Sequence, residues 1–355
     1  MTPVNRLLTA ACLVACLFAA PLRPASADMF KTSFGPTTTD ISTGHAGQSS
    51  IPATLGFFRD ENLDVNLFGV AGSAQGVQLL AAGKIDFISL VVDDLLIARA
   101  KGVPIRAVYV HSRHPIARFV APKAGGITAL AQLKGKTVGI PYIQNNGYNV
   151  DMFAEAGLDW RKDIQLVATG TGGPALLALK RGDIQAWASW DTAVAALENR
   201  GMEFTEFRPS YYANLLGNAI VTRDDMIEQH PEVVIGICRA VAKSIEFGLA
   251  NPEAAIRMHW KAYPETRPQG EDEATAMRDA KRIFMSRWEG YALPPGALYG
   301  SSRPEQWQVS AELLKKSGEV PAGFDPSTAY TDQFIDKINQ FDRAPIDAQA
   351  RDWKE

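Results

Sequence analysis

The sequence predicts an α/β fold, and three observations support this prediction. Short apolar runs alternate with amphipathic helical stretches from residue 30 to about residue 221, and glycines or polar residues separate them. Hydrophobic residues make up 46% of the 355 residues, so the chain can form a packed core rather than stay disordered. Strands that alternate with helices are typical of parallel sheets with helices on both faces.

The predicted elements follow one another in a regular order along the chain. The apolar runs predict strands at 30–34, 64–69, 87–90, 105–110, 118–121, 137–140, 164–167, 186–190 and 218–222. The amphipathic stretches predict helices at 46–61, 74–82, 94–100, 129–133, 150–156, 174–180 and 193–201. Beyond residue 222 periodic apolar faces predict a mostly helical segment to about residue 285, followed by helices at 301–317 and 332–339.

The first 27 residues have the pattern of a secretory signal peptide. Arg6 is the single charge before a short apolar run, and an Ala-Ser-Ala site ends at Ala27. We therefore expect cleavage after Ala27 and a mature protein in the periplasm. The alternative is lipid attachment at Cys16, because residues 13–16 read LVAC, which is similar to a lipoprotein cleavage box.

The composition argues against several classes of function. A net charge of −3 provides no basic field for nucleic acid. Of the three cysteines, only Cys238 follows the expected cleavage site, and its apolar helical surroundings predict a buried structural thiol. The chain has no Walker loop, no HExxH and no Gly-x-Ser-x-Gly motif, and His111 and His114 lack a third ligand. We therefore expect no cofactor, no metal and no catalytic residues.

Small polar residues stand at several junctions where a predicted strand ends and a helix begins. Ligands of open α/β sheets bind at this edge, where helix starts offer free N–H groups. Ordinary helix capping also explains any single junction, so the argument depends on their number. The candidate ligand-binding residues at these junctions are Gly72, Ser73, Asp93, Asn145, Asn146, Thr171 and Gly172.

Aromatic side chains near the same strand ends suit the planar part of a ligand. Tyr109, Tyr142 and Trp190 are the candidates. Strand alternation places Trp187 and Trp190 on opposite faces, so we expect Trp187 in the core and Trp190 at the cleft.

Five segments, in this order, resemble the solute-binding proteins of bacterial ABC importers in the nitrate/sulfonate/taurine group. They are TLGFFRDENLDV at 54–65, LAAGKIDF at 80–87, LKGKTVG at 133–139, LKRGDIQA at 179–186 and HPEVV at 230–234. A closer similarity, to the branch that binds pyrimidine precursors of thiamine, rests on DDLLIARAKGVP at 93–104, HP at 114–115, SYY at 210–212 and the His-x-Gly at 45–47. The loop at 36–40 lacks the Trp often found in that branch, and the Cys-rich motif of its fungal pyrimidine synthase is absent.

The resemblance implies a two-lobed periplasmic-binding-protein fold of type II, in which each lobe is a mixed sheet flanked by helices. One lobe would hold residues 28–115 and 220–355, and the other would hold residues 116–219. The ligand cleft would lie between the lobes, where Thr43, His45, Ser89 and Asp191 complete the candidate set. The implied partners are a small-molecule ligand and the permease subunits of an ABC importer, with the chain acting as a monomer.

The residues leave the function and the ligand open. An enzyme acting on a heterocycle with the same fold, or a sensor domain working through a membrane partner, are the alternatives to a transport component. Helix starts near His45 and Arg118 favour a sulfonate or carboxylate, the aromatics favour a ring, and Asp93 and Asp191 favour a cationic or donor-rich group.

Overall fold

The structure is a computed structural model that describes residues 28–141 and 147–355, with the side chains of residues 147–150 left out. The expected signal peptide and the alternative at Cys16 lie outside the described residues. Among the described residues, no helix is both long enough and apolar enough to span a membrane.

Ten strands are described. They are β1 Phe30–Pro36, β2 Leu63–Leu67, β3 Phe87–Val91, β4 Ile105–Val110, β5 Ala117–Pro122, β6 Thr137–Ile140, β7 Gln165–Ala168, β8 Ala186–Trp190, β9 Phe204–Phe207 and β10 Asn218–Arg223.

Fourteen α-helices are described, with short 3-10 turns between some of them. They are α1 Ser50–Thr54, α2 Phe57–Asp60, α3 Ser73–Ala81, α4 Val92–Ala100, α5 Gly147–Glu155, α6 Gly173–Arg181, α7 Asp191–Glu198, α8 Asp224–Gln229, α9 Pro231–Ala250, α10 Pro252–Ala262, α11 Glu273–Trp288, α12 Pro304–Lys316, α13 Ile335–Ile338 and α14 Ala344–Asp352.

The strands form two five-stranded mixed sheets, which confirms the predicted fold class. The first has the order β2-β1-β3-β10-β4, and the second has the order β7-β6-β8-β5-β9. Strand β10 runs antiparallel to β3 and β4, and β5 runs antiparallel to β8 and β9. The expectation of parallel sheets from alternation alone is therefore wrong at these two strands. Both come directly after the chain has passed from one sheet region to the other, so they enter their sheets from the opposite end.

Each sheet is covered by helices on both faces. On the first sheet, Phe34 and Phe87 pack with the buried face of α9, whereas Ile88 and Leu90 pack with α3, α4 and α12. On the second sheet, Phe119 packs with α5, and Trp187 packs with α6 and α7. The strands of the second sheet all fall within residues 116–219. The exact lobe boundaries stay a prediction.

The continuous helix expected over residues 46–61 is wrong. A 3-10 turn at Thr43–Gln48 precedes α1 and α2, and Gly56 between them adopts a φ of +78°. That left-handed conformation cannot continue an α-helix and favours glycine. In the 3-10 turn, Gly47 approaches the Trp288 ring so closely that an added Cβ would lie 3.1 Å from it. Tight packing against α11 therefore determines the local backbone here.

Candidate ligand-binding site

A cavity of about 160 Å³ lies between the two sheets, beyond the carboxyl ends of β1, β3 and β8. This volume accommodates on the order of ten water-sized groups, which suits a small organic molecule. Both sheets contribute to the wall, as the lobed arrangement implies. The described wall residues include Pro36, Thr37, Thr38, His45, Gly72, Ser73, Ser89, Val91, Asp93, Asp94, Arg118, Ala188, Ser189, Trp190, Leu216, Gly217, Asn218 and Arg287.

Six of the candidate residues from the sequence line this cavity. They are His45, Gly72, Ser73, Ser89, Asp93 and Trp190. Residues 188–190 of β8 all reach the cavity, because the strand ends there and α7 begins at once. Trp187 is fully buried in the core on the other face, and its indole N–H donates to Thr169 Oγ1 at 3.2 Å.

Five other candidates lie away from the described cavity wall. Thr43 is buried and donates to the Ala280 carbonyl at 3.4 Å. Tyr109 is buried in the core beside Gly300. Thr171 and Gly172 precede α6 outside the wall, and the Asp191 carboxylate is occupied by an ion pair.

The remaining three candidates, Tyr142, Asn145 and Asn146, lie outside the described residues.

Two buried residues of the cavity wall each carry a polar atom without a hydrogen-bond partner among the described residues. Ser189 on β8 is 9% exposed and its Oγ has no partner, and Asn218 on β10 is 5% exposed and its Oδ1 has none. Leaving such groups unsatisfied costs about 1–3 kcal/mol each. Because one belongs to each sheet, a bound molecule that satisfied both would bridge the two halves of the protein.

Two neighbouring carboxyl groups at the start of α4 reach the cavity in different states. The Ser73 hydroxyl donates to Asp94. No described residue donates a hydrogen bond to Asp93, and burial, with a smaller contribution from Asp94, raises the pKa of Asp93 to about 7. Asp93 is therefore the acidic residue of the wall whose carboxyl group has no hydrogen-bond donor among the described residues.

The two arginines of the wall are each held by a carboxylate. Arg287 makes a bidentate pair with Asp191, with Nε–Oδ2 at 2.6 Å and Nη2–Oδ1 at 2.5 Å. Arg118 lies with its Nε 2.6 Å from Glu206 Oε1, and Glu206 is shared with Arg208 at 3.0 Å. Ion-paired arginines are less available to a ligand anion than free ones.

A buried polar chain behind the cavity fixes the Ser89 hydroxyl. His111 Nε2 lies 2.8 Å from Ser89 Oγ, and Gln48 Nε2 lies 3.3 Å from His111 Nδ1. Gln48 Nε2 also lies 3.4 Å from His111 Nε2, and the His111 ring and the Ser89 hydroxyl share a hydrogen bond whose direction follows the tautomer of the ring.

The histidines near the cavity are held neutral. Burial, and then the nearby Arg287, lowers the pKa of His111 to about 3. Burial, Arg287 and His259 also hold the pKa of His45 well below its ordinary value. A histidine with a pKa near 3 is a poor general base at neutral pH, so the Ser89–His111 pair is not arranged as an activated nucleophile. Within the described residues there is also no group of three or more side chains suited to a metal ion.

Several wall residues were not predicted from the sequence. Asn218 carried one usable signal, since it is an amide at the start of an apolar strand. Arg287 and Ser189 carried none, because Arg287 comes from a helix almost a hundred residues beyond its partner Asp191.

Residues 50–255 match the protein family described as NMT1/THI5 like. This match covers more than half of the chain, so the protein belongs to the NMT1/THI5-like family. The family resemblance predicted from the sequence is thereby confirmed.

Among its relatives, the riboflavin-binding protein RibY of Chloroflexus aurantiacus is 24% identical over 243 residues, which cover 68% of this chain and 68% of that protein. The formylaminopyrimidine-binding protein of Halalkalibacterium halodurans is 24% identical and covers 71% of this chain and 76% of its own. A 4-amino-5-hydroxymethyl-2-methylpyrimidine phosphate synthase of Legionella pneumophila is 22% identical and covers 82% and 89%. The family therefore includes binding proteins and enzymes.

Solved structures share the fold. The alkanesulfonate-binding protein SsuA of Xanthomonas axonopodis pv. citri, bound to MOPS, superposes with a TM-score of 0.64 at 16% identity. The match covers 85% of this chain and 98% of that one. At this identity, the likeness establishes the architecture alone.

Proposed function

We propose that the protein is the periplasmic substrate-binding component of an ABC importer. It binds a small polar organic solute in the cavity between the two sheets and delivers it to a membrane permease. The observation that carries this proposal is one cavity lined by both sheets, whose wall includes Ser189 and Asn218, each with a buried polar atom left without a described partner. The binding proteins among its relatives support the same role.

The two halves give a physical basis for capture and release. Residues 28–115 with 220–355 form one lobe in this proposal, and residues 116–219 form the other. A solute that pairs with Ser189 and Asn218 contacts one strand of each sheet, so it stabilises the closed arrangement over the open one. The permease then has a distinct, ligand-loaded shape to recognise. Binding as a monomer, without nucleic acid, is part of the proposal.

Catalysis is not part of the proposal. The Ser89–His111 pair lacks a competent base, and the carboxyl groups of the wall lie side by side on one helix turn rather than across the cavity. An enzyme acting on a pyrimidine stays the alternative, because synthases occur among the relatives. Turnover of a bound pyrimidine by the pure protein is the observation that would favour it.

A ligand screen tests the proposal. The chain from residue 28 onward would be examined by thermal shift against pyrimidines, amines, sulfonates, carboxylates and nitrate, and by native mass spectrometry for co-purified molecules. We expect at least one compound to raise the melting temperature, with about 2.7 kcal/mol of stabilisation at a hundredfold excess over its Kd. Asn218→Ala should reduce that shift, whereas the exposed control Asn66→Ala should not. No shift and no co-purified molecule would contradict the proposal.

A further inference from the structure

We propose that Asp93 selects solutes that bring a positively charged or N–H-rich nitrogen group into the cavity, so that sulfonates and carboxylates are not its solutes. The class includes amines, amidines and amino-substituted planar rings. This inference rests on the proposed function and specifies the chemistry of the solute. It also identifies a specificity-determining residue.

The Asp93 carboxyl has no described partner in the cavity wall. It lies in the first turn of α4, at the cavity wall, with no described hydrogen-bond donor and no described cation paired to it. Its neighbour Asp94 is already held by Ser73. A carboxylate partly removed from water is stabilised when a donor or cation reaches it, and a cationic or N–H-bearing solute in this cavity would supply one.

The arginines of the cavity wall already contact carboxylates of the protein. Arg287 is bound through two atoms to Asp191, and Arg118 is bound to Glu206. An anionic solute would have to compete with these carboxylates for its partner, while facing the Asp93 charge.

Two wall residues that are not acidic, Asn218 and Trp190, favour the same kind of solute. Asn218 lines the same cavity, its buried Oδ1 has no partner among the described residues, and a carbonyl oxygen only accepts. Asp93 and Asn218 together therefore favour a solute that donates two hydrogen bonds. Trp190 adds an aromatic face, which favours a planar or cationic group. An amidine-like edge on a ring meets these requirements.

Small compounds of similar shape and opposite charge test this inference. We would measure binding of benzamidine, 2-aminopyrimidine and benzylamine against benzoate and benzenesulfonate by calorimetry, with the chain from residue 28 onward. We expect binding by the nitrogen compounds, at least tenfold tighter than by their acidic counterparts. Asp93→Asn should weaken the cationic compounds at least tenfold and leave the acids unchanged or slightly tighter. The exposed control Asp64→Asn on β2 should change neither.

The outcomes separate this inference from the proposed function. Tight binding of the acids, reduced by Asn218→Ala but not by Asp93→Asn, would overturn the selection by Asp93 and leave the binding role intact. Equal binding of nitrogen compounds to wild type and Asp93→Asn would also overturn it. Failure of every compound to bind, with no co-purified molecule, would overturn both.

Discussion

Asp191 and Arg287 form a buried, bidentate ion pair that joins the two halves of the protein. Asp191 begins α7, directly after β8 of the second sheet, whereas Arg287 lies near the end of α11, whose buried residues share a core with β1 and β3 of the first sheet. Their side chains are 7% and 3% exposed. The backbone N–H of Thr192 also donates to Asp191 Oδ1 at 2.7 Å, which fixes the carboxylate. The pair therefore fixes the position of the cavity wall between the two sheets.

Removing one partner of this pair should destabilise the protein strongly. Asp191→Ala leaves the buried Arg287 charge without compensation, and we expect a loss of about 3–5 kcal/mol in the free energy of unfolding, measured by urea denaturation. The matched control is Glu203→Ala, which breaks an exposed ion pair with Lys123. The side chains of Glu203 and Lys123 are 76% and 60% exposed, so this change should cost less than about 1 kcal/mol. Equal losses would show that the buried pair has no special role.

The two tryptophans of β8 should separate binding from folding. Trp190→Ala removes an aromatic face from the cavity, so solute affinity should fall at least tenfold with a small change in stability. Trp187→Ala empties a fully buried site and should cost about 3–5 kcal/mol of stability. Calorimetric binding and urea unfolding of both variants check this. Unchanged affinity in Trp190→Ala would remove that residue from the site.

Binding of a permanently cationic solute should depend on pH through Asp93. Burial raises the pKa of Asp93 to about 7, so below pH 7 the carboxyl is increasingly protonated and loses its attraction. Affinity for benzamidine should therefore fall from pH 8 towards pH 5.5, by up to about tenfold per pH unit below the pKa. The pKa of Asp94 is also raised, by burial, and it adds to this trend. Burial holds the pKa of His45 well below its ordinary value, and despite burial the Asp191 carboxylate raises the pKa of Arg287, so neither group produces this trend.

The same group should make the ligand-free protein less stable as the pH rises. A folded-state pKa near 7 lies above the unfolded value of 3.8, so the folded protein binds the proton more tightly. Asp93 therefore contributes a loss of stability between about pH 4 and pH 7. Asp93→Asn should remove this contribution and raise the melting temperature at pH 8 relative to wild type. A lower melting temperature at pH 8 would contradict this assignment.

The Cys238 thiol should be inert in the folded protein. It is fully buried within α9, and burial raises its pKa well above the ordinary value. Because the thiolate is the reactive form, a thiol reagent should modify it only after denaturation. Rapid labelling under native conditions would show that α9 opens readily.

Sequence patterns predicted the strands more accurately than the turns and the site. Strand β8 is found at the predicted residues, because a short, mostly apolar segment between Asp183 and Asp191 favours a buried strand. The break at Gly56 was missed, because a glycine within an amphipathic stretch predicts neither its own φ nor the packing around it.

The site was predicted where it depends on local chain order. Ser73 and Asp93 follow strand ends, which the topology of an α/β sheet brings to one edge. The Asp191–Arg287 pair shows where local order is insufficient. Asp191 was expected at the ligand, but a distant helix supplies a guanidinium that occupies both of its oxygens.

A crystal structure with the tightest compound of the ligand screen tests the central claim most directly. We expect electron density between the two sheets, with the solute within hydrogen-bonding distance of Asn218, Ser189 and Asp93 and with its ring against Trp190. Density elsewhere on the surface, with the cavity filled only by water, would contradict the claim that this cavity is the binding site.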